Sequence, residues 1–556
     1  MNSIQFNSIQ FNSIQFNSIQ FNSIQFNRIT LNFIFLLIPA LLLIYYVYSL
    51  GIYFLICYFQ ISQILKFQKL ENCIFIFKNA FYKKFNFMEE IMSQTTKRVF
   101  TRKSKLFLIL ASMILALSCK NPLGDESGGS GSGGAGGGGS GGGQTITNEQ
   151  GKVFPAWYLT AEQQEKPFSI GPTILLDTKG SGQTSQQYRI PAIIVADNGN
   201  IIAIADNRYN HGGDIGAVKG LIDIVYKISK DGGKSWSAEK IMGNKSTSHD
   251  YNKALNKGDA LVFKANDGDL VCMAVSGGGF ANATVNTPSR MVRSVSTDNG
   301  ETWSNWEEVG QDLIQKTIKN NFGAPKVFAP SGRGLTLKDG TFAAAMIGAT
   351  DKGGLYGLYA YSRDKGKTWY CADKFIAGTG GNGSWNEPKV IAELDDGKLL
   401  MSVRNNDRDK KRMYAISTDV PVNGKCSWPL TLSAWNFGCG VVDAEGVVWT
   451  RQNEHDKTRI IHIQAGPKYR NGLALHISED QGLSFPKSYQ ITASDGGGTH
   501  GVGYSSLDVC GDGTIVTLAE EYSPNGQYYD IVFRRYNMKT ITGEVYKTEW
   551  YKDIKK

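Results

Sequence analysis

The chain has 556 residues, 20% charged and 41% hydrophobic, with 59 Lys and Arg against 50 Asp and Glu. That apolar content excludes wholesale disorder, and 63 Gly without a strict triplet and only 15 Pro exclude collagen. The formal charge of +9 invites a nucleic-acid or membrane-surface partner. Residues 1–118, however, hold 11 Lys and Arg against 3 Asp and Glu, which leaves 48 against 47 in the remainder. The basic excess belongs to the N-terminal region, and no nucleic-acid partner is expected.

Residues 2–26 are five copies of Asn-Ser-Ile-Gln-Phe. A period of five matches neither helix nor strand, so no amphipathic face forms. An uncharged stretch, 29–64, follows and is long enough to span a bilayer if read literally. A second start signal lies downstream. Met88 and Met92 precede Lys97, Arg98, Arg102, Lys103 and Lys105, then the apolar run Leu106–Leu117, then Ser118 and Cys119. A basic segment, a short apolar run and a small residue at the cut describe an export signal. The expectation is therefore an upstream extension over 1–87 and a signal peptide over 88–119. Leu-Ala-Leu-Ser-Cys119 resembles the lipobox of bacterial lipoproteins, which implies a lipid on Cys119 and a membrane anchor.

Residues 120–167 read as a linker and lead-in, with 13 Gly in 124–143. No Lys-Ser/Thr follows the glycines, which excludes a P-loop. Five cysteines remain beyond Cys119: Cys272, Cys371, Cys426, Cys439 and Cys510. Their odd number and the lack of CxxC spacing argue against a disulfide framework or a zinc site, so they are expected as small buried residues.

From residue 168 to 556 two repeats alternate. One is a hairpin signal, an apolar run on each side of a turn dipeptide. It occurs at Asn198-Gly199, Asp267-Gly268, Asp339-Gly340, Asp396-Gly397, Glu445-Gly446 and Asp512-Gly513. Glycine there supplies the positive φ of tight hairpins. The other, Ser-x-Asp-x-Gly-x-Ser/Thr-Trp/Phe, occurs at Ser229–Trp236, Ser296–Trp303, Ser362–Trp369 and Ser478–Phe485. A degraded copy runs from Ser417 to Trp428. Its Asp, Gly and aromatic residues have turn chemistry, not catalytic chemistry. Two hairpins make a four-stranded sheet, so six units predict an all-β, six-bladed β-propeller. The sixth unit lacks the second repeat, and Thr173–Leu176 is expected to supply the strand that closes the ring.

In such blades the residues before the first strand and after the second share one face. Arg189 and Arg208 bracket Gly199, Glu387 and Arg404 bracket Gly397, and Tyr504 and Glu520 bracket Gly513. Arg470 precedes the last clear Ser-x-Asp turn by about a strand. Charged and polar residues of several blades therefore converge on one rim of the channel.

The repeats and Tyr188-Arg189-Ile190-Pro191 together resemble the bacterial sialidase (neuraminidase) family, whose second repeat is called the Asp box. The resemblance spans about Phe168 to Glu549. It implies that Arg189, Arg404 and Arg470 bind the substrate carboxylate, and guanidinium forks suit that group. It also implies that Glu520 braces Arg189, with Glu521 adjacent to it. Asp214, in His211-Gly212-Gly213-Asp214, resembles the acid/base residue. Tyr504 resembles the nucleophile and Glu387 its base; sialidases are a known exception in using tyrosine. Arg208 is expected to reach the other side of the sugar.

The implied activity is an exo-acting, retaining sialidase without metal or cofactor. It would act as a monomer on sialylated glycoproteins, glycolipids or oligosaccharides, lipid-anchored in a bacterial cell envelope. A trans-sialidase and a non-catalytic sialoglycan-binding propeller are the alternatives. A Ser/His/Asp hydrolase is disfavoured by only 6 His and because no Gly-x-Ser-x-Gly elbow stands between strand and helix.

Overall fold

The computed structural model describes residues 145–147 and 153–547, apart from 179–185, 251, 319–325, 350–354, 378–384, 407–410, 430, 467–469, 494–500 and 524–527. The upstream extension, the signal peptide, Cys119 and the glycine-rich linker lie outside the described residues. No described helix is long and apolar enough to cross a membrane.

Six antiparallel sheets follow one another along the chain. Blade 1 contains Gln186–Val195, Ile201–Tyr209, Ile222–Ser229 and Lys240–Ile241. Blade 2 contains Lys257–Lys264, Leu270–Ser276, Arg290–Ser296 and Glu307–Val309. In blade 3 the inner edge is broken into Lys326–Phe328 and Leu335–Thr336, both paired with Phe342–Ala349; Leu355–Ser362 and Tyr370–Ala377 lie outside. Between the two inner pieces, Gly332–Arg333 crosses to pair in parallel with the inner strand of blade 2. Blades 4 and 5 begin with Trp385–Glu393 and Glu445–Thr450. Blade 6 contains Val502–Val509, Ile515–Tyr522 and Tyr529–Tyr536, and is completed by Ser169–Leu176. The expected closing strand is therefore present, four residues longer than the sequence suggests. The inner strand of blade 6 packs against that of blade 1, which closes the ring.

Strand alternation explains the core. Along the blade 1 inner strand, Ile193 and Val195 pack toward blade 6, with Leu518 and Phe533. Ala192 and Ile194 pack toward blade 2, with Val262 and Cys272. Side chains two apart share a face, so each strand feeds two inter-blade cores. Further cores lie between successive blades around the ring. None of the five cysteines forms a disulfide among the described residues; four are buried and Cys371 is half-buried.

The Asp boxes are turn locks. Ser229 donates to Asp231 at 2.8 Å and accepts from the Gly233 N–H at 2.7 Å, while Asp231 accepts from the Ser235 N–H at 2.9 Å. The same bonds recur around Asp298, Asp364 and Asp480. In the degraded copy, Asp419 still accepts the Ser427 N–H at 2.6 Å.

Two expectations change. Glu445-Gly446 is not a hairpin turn but opens the inner strand of blade 5; the turn to the next strand, Arg459–Ala465, lies beyond Thr450. Glu445 is fully buried and accepts the Arg333 N–H, while a Cβ on residue 446 would come within 2.7 Å of Ile391. Tertiary partners, not turn chemistry, select this dipeptide. The lead-in also belongs to the folded unit. Phe154, Trp157 and Tyr158 are buried in the core between blades 1 and 6, and the Leu159 N–H donates to Asp512 at 2.9 Å. Arg535 lies 4.3 Å from the Trp157 ring. These contacts seat the segment on the hairpin-turn face, beside Gly199 and Asp512.

Candidate active site

The opposite face is built by irregular backbone. Ile190, Asp259 and Glu387 have φ of 59°, 58° and 34°, although none is glycine. Each sits at a register shift near the start of an inner strand: between Arg189 and Ala192, Gly258 and Leu261, and Asn386 and Pro388. A fourth shift separates Val502 from Ser505, around Tyr504. Such bulges re-aim side chains, and the strain is held by the surrounding ring.

Three expected residues meet directly, and two more stand beside them. The Tyr504 hydroxyl donates to Glu387 in a short hydrogen bond. Arg404, at the end of the second strand of blade 4, bonds the other oxygen of Glu387 and reaches the Tyr504 hydroxyl at 3.3 Å. Arg470 lies 5.9 Å from the Tyr504 ring, and its Nη2 donates to the Val441 carbonyl at 3.0 Å. Arg189 lies 6.0 Å from the same ring, on the blade 1 side. Arg404 Nε is buried without a partner among the described residues, and Arg470 has no carboxylate partner among them. This leaves cationic donors for an anion. Burial, reinforced by the charge of Glu387, pushes the Tyr504 phenol well above its ordinary value. The free phenol is therefore neutral at pH 7 and needs a base to attack.

Glu520, not Glu521, meets Arg189. It accepts Arg189 Nε at 2.7 Å and Nη2 at 3.3 Å, the Ile190 N–H at 2.7 Å and the Tyr504 N–H at 3.0 Å. One buried carboxylate thus aligns the first arginine and the tyrosine across the ring closure. Glu521 points to the other side of the strand and pairs with Arg534. Gly503 leaves room for Glu520: a Cβ there would stand 1.9 Å from Oε2. Gly503→Ala is expected to cost about 1–3 kcal/mol by overpacking and to lower turnover, measured by thermal unfolding and kinetics. The backbone φ at this position is not in the left-handed region, so the clash itself is tested.

Asp214 stands at the mouth, its side chain 69% exposed, and Arg208 Nη1 donates to it at 2.7 Å. Its surroundings alone would raise the carboxyl, but the charge and hydrogen bond of Arg208 outweigh them and hold it below the usual range. Arg208 has a different placement from the one expected. Its side chain is 0% exposed and is committed to Asp206, Asp214 and the Gly212 carbonyl. In this geometry it supports Asp214 rather than lying open to a sugar.

Two residues of this corner were not singled out from the sequence. Asp206, buried on the second strand of blade 1, accepts from Arg208 Nη2 at 3.0 Å and from the Asp259 N–H at 3.0 Å. Burial pushes its carboxyl up to about 6 against the pull of Arg208. Asp259 has its carboxyl raised well above the ordinary range, first by burial and then by Asp206 and Asp214. The signal for Asp259 was available, because it precedes the core of its inner strand much as Arg189 does in blade 1.

These features define a six-bladed propeller whose rim joins a cationic cluster, a tyrosine–glutamate couple and an exposed aspartate. A family model for the BNR repeat-like domain matches residues 217–517. The chain is 28% identical over 386 residues to a sialidase of Clostridium perfringens, covering 65% of this chain and 92% of that protein. Among solved structures, a Hadza microbial sialidase, Hz136, superposes with a TM-score of 0.51 at 21% identity, covering 64% of this chain and 66% of that one. The intramolecular trans-sialidase of Ruminococcus gnavus, solved with oseltamivir carboxylate, gives 0.51 at 16% identity, covering 66% of this chain and 98% of that one. The chain belongs to the sialidase family of BNR repeat-like propellers.

Proposed function

We propose that the protein is an exo-acting, retaining sialidase that releases terminal α-linked sialic acid from glycoconjugates. The observation that carries this reading is the hydrogen-bonded Tyr504–Glu387 couple beneath Arg404, with Arg189 and Arg470 flanking the same ring. The carbon attacked in a sialoside bears a carboxylate. Three guanidinium groups would orient that carboxylate through charge-assisted bonds. A neutral phenol approaches such a centre more readily than an anionic Asp or Glu would.

In the first step the Tyr504 oxygen bonds to the anomeric carbon as Glu387 takes the phenol proton. The glycosidic bond breaks and Asp214 gives its proton to the leaving oxygen. In the second step Asp214 takes a proton from water, the water oxygen bonds to the anomeric carbon, and Tyr504 leaves with the proton held by Glu387. Two displacements restore the configuration.

Asp214 is anionic in the free protein at neutral pH, as an ordinary aspartate is, and Arg208 lowers its carboxyl further. Its acid role therefore draws on the protonated fraction, which grows as pH falls. Two outcomes are expected. With a galactose leaving group, kcat/KM falls as pH rises above the optimum; with a nitrophenyl leaving group it holds to higher pH. Asp214→Ala lowers kcat/KM on the galactoside by about 10²–10⁴-fold and on the nitrophenyl sialoside far less. Equal losses on both substrates would remove Asp214 from the acid role.

Incubation of the protein with α2,3-, α2,6- and α2,8-linked sialosides tests the activity directly. Binding without release would point to a sialoglycan-binding propeller, and sialyl transfer to added lactose would point to a trans-sialidase. A lipid on Cys119, holding the propeller at a bacterial cell envelope, is part of the same proposal; intact-mass measurement of the native protein tests it.

A further inference from the structure

The loop that carries Asp214 is closed at its base and seated at its tip on the neighbouring blade. At the base the Tyr209 N–H donates to the Leu221 carbonyl at 3.1 Å. Asn256, just before the inner strand of blade 2, accepts the Ile222 N–H at 2.6 Å and donates to the Gly220 carbonyl at 3.1 Å. At the tip, Ile215 follows Asp214 directly but is only 2% exposed, packed with Ile222 and Val275 against Phe328. Gly258 and Gly279 make room for it: a Cβ on either would lie 3.0 Å or 2.7 Å from its side chain. The Asn282 side-chain amide donates to the Gly216 carbonyl in a short hydrogen bond. The two backbones also touch, since a Cβ on residue 216 would stand 2.1 Å from the Gly278 oxygen. This seat, residues 277–283, leaves the second strand of blade 2 and has its own anchors. Buried Ser289 donates to the Gly279 carbonyl at 2.7 Å and accepts the Val327 N–H at 2.9 Å, and Phe280 meets Phe328 edge-on at 5.3 Å. Three blades therefore fix one loop tip.

Resting on the sialidase reading with Asp214 as its acid, we propose that Ile215 and Asn282 are positioning residues that hold Asp214 in reach of the leaving oxygen. The Asp214 side chain is 69% exposed, so it has little packing of its own, and Arg208 fixes its direction through one bond. The backbone beneath it contains Gly212, Gly213, Gly216 and Gly220, which restrain the loop weakly. The restraint comes instead from the seat. Burial of Ile215 holds the tip down, and the Asn282 amide fixes its register through Gly216. A proton donor must come within about 3 Å of the oxygen it protonates, and a misplacement of about 1 Å costs about 10²-fold. Neither Ile215 nor Asn282 has proton chemistry to contribute, so each acts only through the placement of Asp214.

The test compares kcat/KM on a sialyl galactoside and on a nitrophenyl sialoside in each protein. Galactose is a poor leaving group and needs the Asp214 proton; nitrophenolate departs without it. The ratio of the two values within one preparation does not depend on how much of the protein is folded, so a destabilised variant still reports. Ile215→Ala is expected to lower kcat/KM on the galactoside by about 10²-fold and on the nitrophenyl sialoside by a much smaller factor. Asn282→Ala is expected to move the ratio in the same direction by about 5–10-fold, the worth of one hydrogen bond. Ile215→Val keeps most of the packing and is expected to restore the ratio. Equal losses on both substrates, or an unchanged ratio in Ile215→Ala, overturn the proposal while Asp214→Ala still separates the two substrates. If Asp214→Ala does not separate them, the acid role of Asp214 falls and the proposal with it. If the unaltered protein releases no sialic acid, the sialidase reading itself falls.

Discussion

Replacing Tyr504 by Phe is expected to lower kcat on a sialoside by about 10³-fold or more, with KM changed much less. The substitution keeps the ring, so the packing between Arg189 and Arg470 survives. It removes the oxygen that donates to Glu387 and accepts from Arg404. A factor of 10³ is about 4 kcal/mol of transition-state stabilisation, reasonable for a bond-forming atom. The guanidinium donors remain, so under the sialidase reading ground-state binding of the sugar carboxylate is expected to persist. A 2,3-difluorinated sialic acid should label the unaltered protein on the Tyr504 peptide and leave the Tyr504→Phe protein unlabelled by mass spectrometry. Near-normal turnover after Tyr504→Phe, or labelling elsewhere, would remove Tyr504 as nucleophile.

The largest stability effect is expected at Glu520. Its carboxylate is fully buried and accepts four hydrogen bonds, two from Arg189 and two from backbone N–H groups. Glu520→Ala strands the Arg189 charge and both N–H groups, and breaking a buried pair from one side costs about 3–5 kcal/mol. Because Glu520 joins blade 6 to blade 1, the loss falls at the closure of the ring. Glu521→Ala is the comparison: its carboxylate is 17% exposed and is held by Arg534, so a smaller loss of about 1–3 kcal/mol is expected. Denaturant melts of the two proteins check the contrast. Glu520→Ala should also raise KM, since Arg189 loses its alignment.

Much of the fold was legible along the chain because its determinants are local. A blade is two hairpins, and its turns carry glycine at positive φ or an aspartate that bonds the next few N–H groups. Gly199, Gly268, Gly340, Gly397 and Gly513 all have φ between 77° and 90°, as their hairpins require. Glu445-Gly446 misled for the same reason. Its chemistry suits a turn, but Lys389 and Arg333 draw Glu445 into the channel, and those partners are 56 and 112 residues away.

The site was legible in its residue types and less so in its geometry. Arg189, Arg404, Tyr504 and Glu387 could be named because each flanks a hairpin on the same face. Their mutual approach depends on bulges at Ile190 and Glu387, where non-glycine residues take positive φ only because the ring holds them there. No propensity of a lone isoleucine or glutamate announces that conformation. Arg208 is similar: its position follows from the hairpin, but its burial between Asp206 and Asp214 depends on how the Gly-rich loop folds back.

The +1 balance of residues 119–556 and the clustering of excess charge before them were properties of the sequence alone. So were the blade count, the turn locks and the identities of the charged groups, since each rests on a short window with its own chemistry. Which glutamate braces Arg189, whether Arg208 is open or enclosed, and what seats the loop of Asp214 were decided only by tertiary structure. These depend on side chains from different blades meeting at one axis, at separations along the chain of up to 331 residues.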